Sequence, residues 1–288
     1  MRACAPESDG IVVRDGVKIR YARYGHGDPT ILLLPTWSLV HSRCWKLQVP
    51  YLARHFTVVT FDGRGNGASD RPVGAAAYRD TEFAADALAV LDAVGVDRAV
   101  LVGISAGGLW GLRLCAEHGD RVLGAVFIAP AVPLAPPLAE RTVTRFHDLI
   151  DDPAGWQLYN ARVWRDRYPE FVEFMVGRIC SEPHSTKQVE DAVGWAMETD
   201  GEMLTDSHLG VADHDEACAR RLAAMVTCPM VVMHGTDDAV RNHAASVALA
   251  EATGADLVTL VGAGHFPQVR DPVRVNLIIK RFAEGLRR

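Results

Sequence analysis

The chain has no C-x-x-C pair, no compact cysteine framework and no apolar run that approaches the roughly 18 residues of a membrane span. Its six cysteines, Cys4, Cys44, Cys115, Cys180, Cys218 and Cys228, are scattered, several of them inside expected helices or strand starts. That pattern excludes a disulfide scaffold and reads as reduced thiols in a cytoplasmic protein. Residues 1–10 carry no apolar signal-peptide core. Positive charge is not in excess either: 30 Lys and Arg stand against 36 Asp and Glu, a net charge of −6, and the basic residues do not gather on one element. A phosphate-tracking surface needs such a cluster, so neither nucleic acid nor a membrane is expected as a partner. Metal-ligand spacing is missing too. So is the G-x-G-x-x-G of a dinucleotide loop, because Gly63, Gly65 and Gly67 alternate at the wrong interval and no helix follows them directly. No metal and no cofactor are expected, and Asp213-His214-Asp215-Glu216 reads as a solvated polar helix start.

What the chain does have is apolar content, 49% of 288 residues, enough for the core of one α/β domain carrying an insertion. Ile11 to Arg14 and Val17 to Tyr24 flank Asp15-Gly16 as a hairpin. Then come runs too uniformly apolar for half-exposed strands: Thr30 to Leu34, Phe56 to Phe61, Ala99 to Gly103, Val122 to Ile128, Met230 to Met233 and Ala255 to Leu260. Helical segments fall between most of them, at His41 to Arg54 (with Pro50 at a break), Glu82 to Val94, Leu109 to His118, Asn242 to Ala252 and Pro272 to Leu286 behind an Asp271 cap. The alternation predicts a mostly parallel eight-stranded sheet flanked by helices.

After Ile128 about a hundred residues pass before the next strand, far more than an α/β connection needs, so a subdomain is inserted after the sixth strand. The expected division is a core of residues 1–131, a helical cap of 132–212 and a second core segment of 213–288. Helical patterns in the cap run from Arg141 to Ile150, Trp156 to Arg167, Pro169 to Cys180 and Thr186 to Thr199. Three of the six tryptophans, Trp156, Trp164 and Trp195, lie there with Tyr159, Tyr168, Phe171 and Phe174.

The sharpest signal is Gly103-Ile104-Ser105-Ala106-Gly107, which sets one serine between two glycines, behind a strand and ahead of a helix. A nucleophile on so sharp a turn sits in strained backbone, and only small neighbours let strand and helix pass that close. A serine hydroxyl needs a base, and the base needs an acid to fix its tautomer. Asp237 and Asp238 follow the strand starting at Met230, and His265 follows the last strand, so the order Ser, Asp, His is complete with every member at a strand end.

With these motifs the chain resembles the α/β-hydrolase fold superfamily, in its branch of serine esterases, cofactor-free haloperoxidase-like enzymes and carbon–carbon bond hydrolases. The resemblance covers nearly the whole chain, including Asp62-Gly-Arg64-Gly65-Asn-Gly67-Ala-Ser69, the Gly235-x-x-Asp238 loop and Gly262-x-Gly264-His265. It implies Ser105 as nucleophile, Asp238 rather than Asp237 as acid, His265 as base, and the backbone N–H groups of Trp37 and Ala106 as oxyanion donors. One departure stands out, since Pro35-Thr36 replaces the usual His-Gly of the oxyanion loop. Expected substrate contacts are Trp37, His41, Trp156, Trp164, Trp195 and Phe266, although most cap aromatics should form the cap's own core. The expected function is hydrolysis of an ester, lactone or thioester of a small, largely apolar acid through an acyl-enzyme, with apolar acyl groups favoured over charged ones. Perhydrolysis, C–C cleavage or acyl cyclisation by the same triad, or a non-catalytic ligand-binding role, remain open, as does homodimerisation.

Overall fold

The computed structural model describes residues 4–211 and 214–286. Eight strands form one sheet: β1 (Ser8–Arg14), β2 (Val17–Tyr24), β3 (Thr30–Leu33), β4 (Thr57–Phe61), β5 (Ala99–Ile104), β6 (Val122–Ile128), β7 (Met230–Gly235) and β8 (Asp256–Leu260). Their order is β1-β2-β4-β3-β5-β6-β7-β8, and only the β1–β2 and β2–β4 pairings are antiparallel. Every residue of β3, β4 and β5 is buried, which is why those stretches are apolar without alternation. The strand order places β5 beside β3 and β6, so the turn that follows β5 emerges at the middle of the sheet's carboxyl edge.

Helices cover both faces, among them α1 (Asp80–Ala93) and α2 (Ala106–Glu117). Their mutual packing includes Phe83 stacked on Trp110, with ring centroids 3.7 Å apart and planes 4° from parallel. The expected helix over 41–54 is instead a 3₁₀ turn, Ser42–Trp45, and one α-turn, Val49–Leu52, because Pro50 can enter only at a helix start.

Between β6 and β7 lie α3 (Ala161–Asp166), α4 (Tyr168–Ile179), α5 (Thr186–Ala196), α6 (Gly201–Gly210) and α7 (Glu216–Met225). Caps define several of these starts: Asn160 accepts from the Arg162 N–H at 2.9 Å, Asp200 from Met203 at 2.9 Å and Asp215 from Cys218 at 2.8 Å. One expectation is corrected. The helix over 141–150 is absent, leaving a 3₁₀ turn at Ala139–Thr142 followed by irregular chain. The boundary placed between 212 and 213 lies outside the described residues, as does Asp213. The inserted helices pack on an aromatic cluster in which Trp164 is wholly buried, 4.6 Å from Phe171 and 4.8 Å from both Tyr159 and Phe146 by ring centroid. Core helices α8 (His243–Thr253) and α9 (Pro272–Gly285) complete the fold. No helix among the described residues is long and apolar enough to cross a membrane.

Candidate active site

Ser105 occupies φ 52°, ψ −117°, a left-handed conformation that an L-residue adopts only when its surroundings enforce it. They do so through backbone bonds: Ser105 N–H donates to Ile128 O at 2.9 Å, and the Gly108, Leu109 and Ala131 N–H groups donate to Ser105 O at 3.0, 3.4 and 2.9 Å. The flanking glycines are steric necessities. A Cβ at Gly103 would lie 2.5 Å from Gly107 O, and one at Gly107 would lie 2.4 Å from Pro35 O. Thus the loop after β3 presses directly on the serine turn. The N–H groups of Trp37 and Ala106 make no hydrogen bond among the described residues, and both residues line the same cavity as Ser105. The replacement of His-Gly by Pro35-Thr36 is accommodated with Thr36 buried and the loop still folded over the turn.

Asp238 and His265 meet at the carboxyl ends of β7 and β8. Asp238 Oδ2 accepts from His265 Nδ1 at 2.7 Å and from His234 Nε2 at 2.9 Å. Its Oδ1 accepts from the Val240 and Arg241 N–H groups at 2.7 and 2.8 Å. A carboxylate only accepts, so both imidazoles are donors at these nitrogens, which fixes the His265 tautomer with Nε2 unprotonated in its neutral form. Burial alone would raise the Asp238 pKa, but the His265 charge and the bonds from His234 and His265 override it and hold the carboxyl well below the usual range. His234 in turn shares Nδ1 with Ser246 Oγ at 2.7 Å. Asp237 is exposed, and its carboxylate accepts only from Thr236 Oγ1, at 2.7 Å, among the described residues. One further bond ties the inserted segment to this corner: Glu182 Oε1 accepts from the Gly264 N–H at 2.7 Å, one residue before His265.

Ser105 and His265 open onto one cavity of about 250 Å³. Trp37, Leu109, Trp110 and Phe266 form apolar wall, and the inserted segment adds Tyr159, Met175 and Ile179. The fate of the expected substrate contacts divides. Trp37 and Phe266 line the cavity, whereas His41, Trp156, Trp164 and Trp195 do not. Trp164 is consumed by the aromatic cluster. Trp156 lies beneath the Arg141 guanidinium at 4.8 Å, and Trp195 borders a separate space of about 150 Å³ with Lys46 and Phe266. His41 is buried 3.4 Å from Glu198 Oε2, and burial lowers its pKa.

Sequence reasoning missed several polar groups in the cavity wall. His208 Nδ1 shares a hydrogen bond with the Tyr159 hydroxyl at 3.1 Å, and burial brings the His208 pKa down to about 4, which keeps the ring neutral. His214, expected in a solvated helix start, is buried instead, with Nδ1 2.9 Å from Asp80 Oδ2. Arg141 and Arg241 also line the cavity, and neither was singled out from the sequence. No sequence motif marks any of them, since each matters through a contact distant in sequence. Among the described residues no cluster of His, Cys, Asp and Glu could hold a metal ion.

A serine held on a strained strand-to-helix turn, above a mostly parallel eight-stranded sheet and beside an aspartate-bound histidine, defines the α/β-hydrolase class. The chain belongs to that family, for a profile of the alpha/beta hydrolase fold matches residues 29–272. It is similar to 3-oxoadipate enol-lactonase 2 of Acinetobacter baylyi, at 25% identity over 286 residues, covering 95% of this chain and 97% of that protein. Among solved structures, esterase RhEst1 from Rhodococcus sp. ECU1013 superimposes with a TM-score of 0.79 at 25% identity, covering 97% of this chain and 98% of that one. Est816, described as an N-acyl homoserine lactone degrading enzyme, gives 0.77 at 26% identity over 95% and 100% of the two chains.

Proposed function

We propose that this protein is a serine hydrolase that cleaves an ester, lactone or thioester of a small carboxylic acid through an acyl-enzyme. The observation that carries the reading is the strained Ser105 turn sharing a cavity with His265, whose Nδ1 is held by Asp238 at 2.7 Å. In this reaction Ser105 Oγ attacks the carbonyl carbon and His265 Nε2 takes the hydroxyl proton. Asp238 keeps the ring oriented and stabilises the imidazolium. Negative charge on the carbonyl oxygen then meets the Trp37 and Ala106 N–H groups and the positive end of α2. His265 returns its proton to the leaving oxygen or sulfur, and water, activated by the same nitrogen, releases the acid and restores Ser105.

The relatives support the bond type, being named an enol-lactonase, an esterase and a lactone-degrading enzyme. The walls of Trp37, Leu109, Met175 and Ile179 suit a largely apolar acyl body. The test is labelling by a fluorophosphonate together with turnover of a panel of p-nitrophenyl esters, lactones and thioesters. Ser105→Ala is expected to abolish both. Labelling that persists in the variant removes Ser105 as the nucleophile, and a wild type that neither labels nor turns over any member of the panel favours a ligand-binding protein on this fold.

A further inference from the structure

The nucleophile, base and oxyanion donors leave two charges in the cavity wall without an occupation. Arg141 comes from the 3₁₀ turn after β6 and Arg241 from the loop after β7, about a hundred residues apart in sequence. Elsewhere in the protein, buried guanidinium groups meet carboxylates: Arg64 pairs with Asp86 at 2.7 Å and Arg113 with Asp80 at 2.8 Å. In the cavity the rule lapses. Neither Arg141 nor Arg241 has an ion-pair partner among the described residues, and no Asp or Glu is among the residues that line the space. The Asp238 carboxylate nearby already has both oxygens engaged by two imidazoles and two peptide N–H groups.

The two arginines are held differently. Arg141 is fixed: its Nη1 donates to Val240 O at 2.9 Å, and its guanidinium lies over the rings of Trp156 and Tyr159, at 4.8 and 5.4 Å. The Arg241 side chain makes no hydrogen bond among the described residues, and its Nε is buried without a partner. Burial first, and then the charge of Arg141, push the Arg241 pKa down to about 10, which still leaves it a cation at neutral pH. Two like charges in a partly dry space repel each other, and the Asp238 charge that Arg241 feels is already engaged by other donors, so a ligand that brings an anion relieves the arrangement. A guanidinium fork matches the two oxygens of a carboxylate.

We propose that Arg141 and Arg241 form an anion subsite that holds a free carboxylate of the substrate, so that the natural ester or lactone is itself an acid. The proposal rests on the hydrolase reading above and deepens it. It also reverses the expected preference for uncharged substrates: the acyl body is apolar, the far end anionic. A cavity of about 250 Å³ is small for a ligand pocket, so the scissile carbonyl and the carboxylate are separated by only a short chain.

The experiment compares mono-p-nitrophenyl glutarate with p-nitrophenyl pentanoate, which differ by carboxylate against methyl at the end of the same chain. In wild type, kcat/KM for the anionic ester is expected to exceed that for the neutral one by about tenfold or more. Arg241→Met and Arg141→Met should each collapse that ratio by about 10- to 100-fold, chiefly through KM, while Arg241→Lys restores part of it. Raising the ionic strength should compress the wild-type ratio. A wild-type ratio of one or less, or a ratio unmoved in both methionine variants, overturns the subsite. Loss of neutral-ester turnover in Ser105→Ala upholds the hydrolase reading whatever the ratio does, so the two failures are separable. Should wild type cleave neither ester, calorimetric titration with glutarate decides: binding about tenfold weaker in Arg241→Met supports the subsite, and equal binding overturns it.

Discussion

Two aspartate-bound histidines line the same cavity, and their surroundings assign them different work. His265 is bound to Asp238, and His214 to Asp80, at 2.7 and 2.9 Å. Asp238 is oriented by peptide N–H groups and neutral-capable imidazoles, with no cationic side chain bonded to it. Its charge is therefore available to an imidazolium forming on His265. Asp80 is already claimed by Arg113, whose Nε and Nη2 donate at 2.9 and 2.8 Å, so little of its field is left for a charge on His214. The lesson is that an Asp–His contact alone does not make a base; what matters is whether the carboxylate's charge has been spent elsewhere.

The comparison is broken most severely at Asp238. Asp238→Asn should leave the fold and lower kcat by about 10⁴, the scale seen when a triad histidine is left in the wrong tautomer, as measured by steady-state ester hydrolysis. A loss under tenfold would deprive Asp238 of its role. Asp80→Asn should instead act on stability, by about 2–4 kcal/mol in denaturant unfolding, because it strips the charge partner from a nearly buried Arg113 that retains Glu117. Activity per folded molecule should change far less.

Acid sharpens the same contrast. Burial opposes ionisation of Asp80, but bonds from His214 and Arg113 and the charge of Arg113 hold its pKa below the ordinary carboxylate value, as the histidines do for Asp238. A depressed carboxylate contributes stability that is fully present above the unfolded pKa of about 3.9 and lost as pH falls from there through the folded value. The thermal unfolding temperature should therefore fall progressively below about pH 4, and each Asn variant should flatten that slope. His214→Asn should lower kcat/KM by less than about tenfold and mainly through KM, since His214 only lines the cavity. Smallest of all, Asp237→Asn should stay within about twofold of wild type, as expected of an exposed turn residue.

The difference between the two pairs also shows what was legible beforehand. The centre of the sheet could be read because β3, β4, β5 and β7 are buried throughout and announce themselves as unbroken apolar runs such as Val100 to Ile104. Ser105, Asp238 and His265 could be singled out because each follows such a run directly. His214 could not, since nothing local distinguishes a polar helix start in solvent from one folded against Asp80, 134 positions away. The cap was harder still. Helix α6 was not anticipated because its buried face includes Gly201, Ser207 and Gly210 beside Met203 and Leu204, leaving no apolar stripe. The tryptophans were credited with substrate contact on abundance, but a subdomain this small needs Trp164 for its own interior. What reaches the cavity from above is a mixture of Tyr159, Met175, Ile179 and the unforeseen Arg141.

The bond between Glu182 and the Gly264 N–H ties the inserted segment to the base, because Glu182 belongs to the link between α4 and α5. A hydrogen bond to a charged acceptor is worth about 1.5–3 kcal/mol, so at room temperature between about one molecule in a hundred and one in ten has it broken at any moment. In all the others, movement of the link draws on the peptide beside His265. The position of the link and the alignment of the base are thus coupled through one peptide.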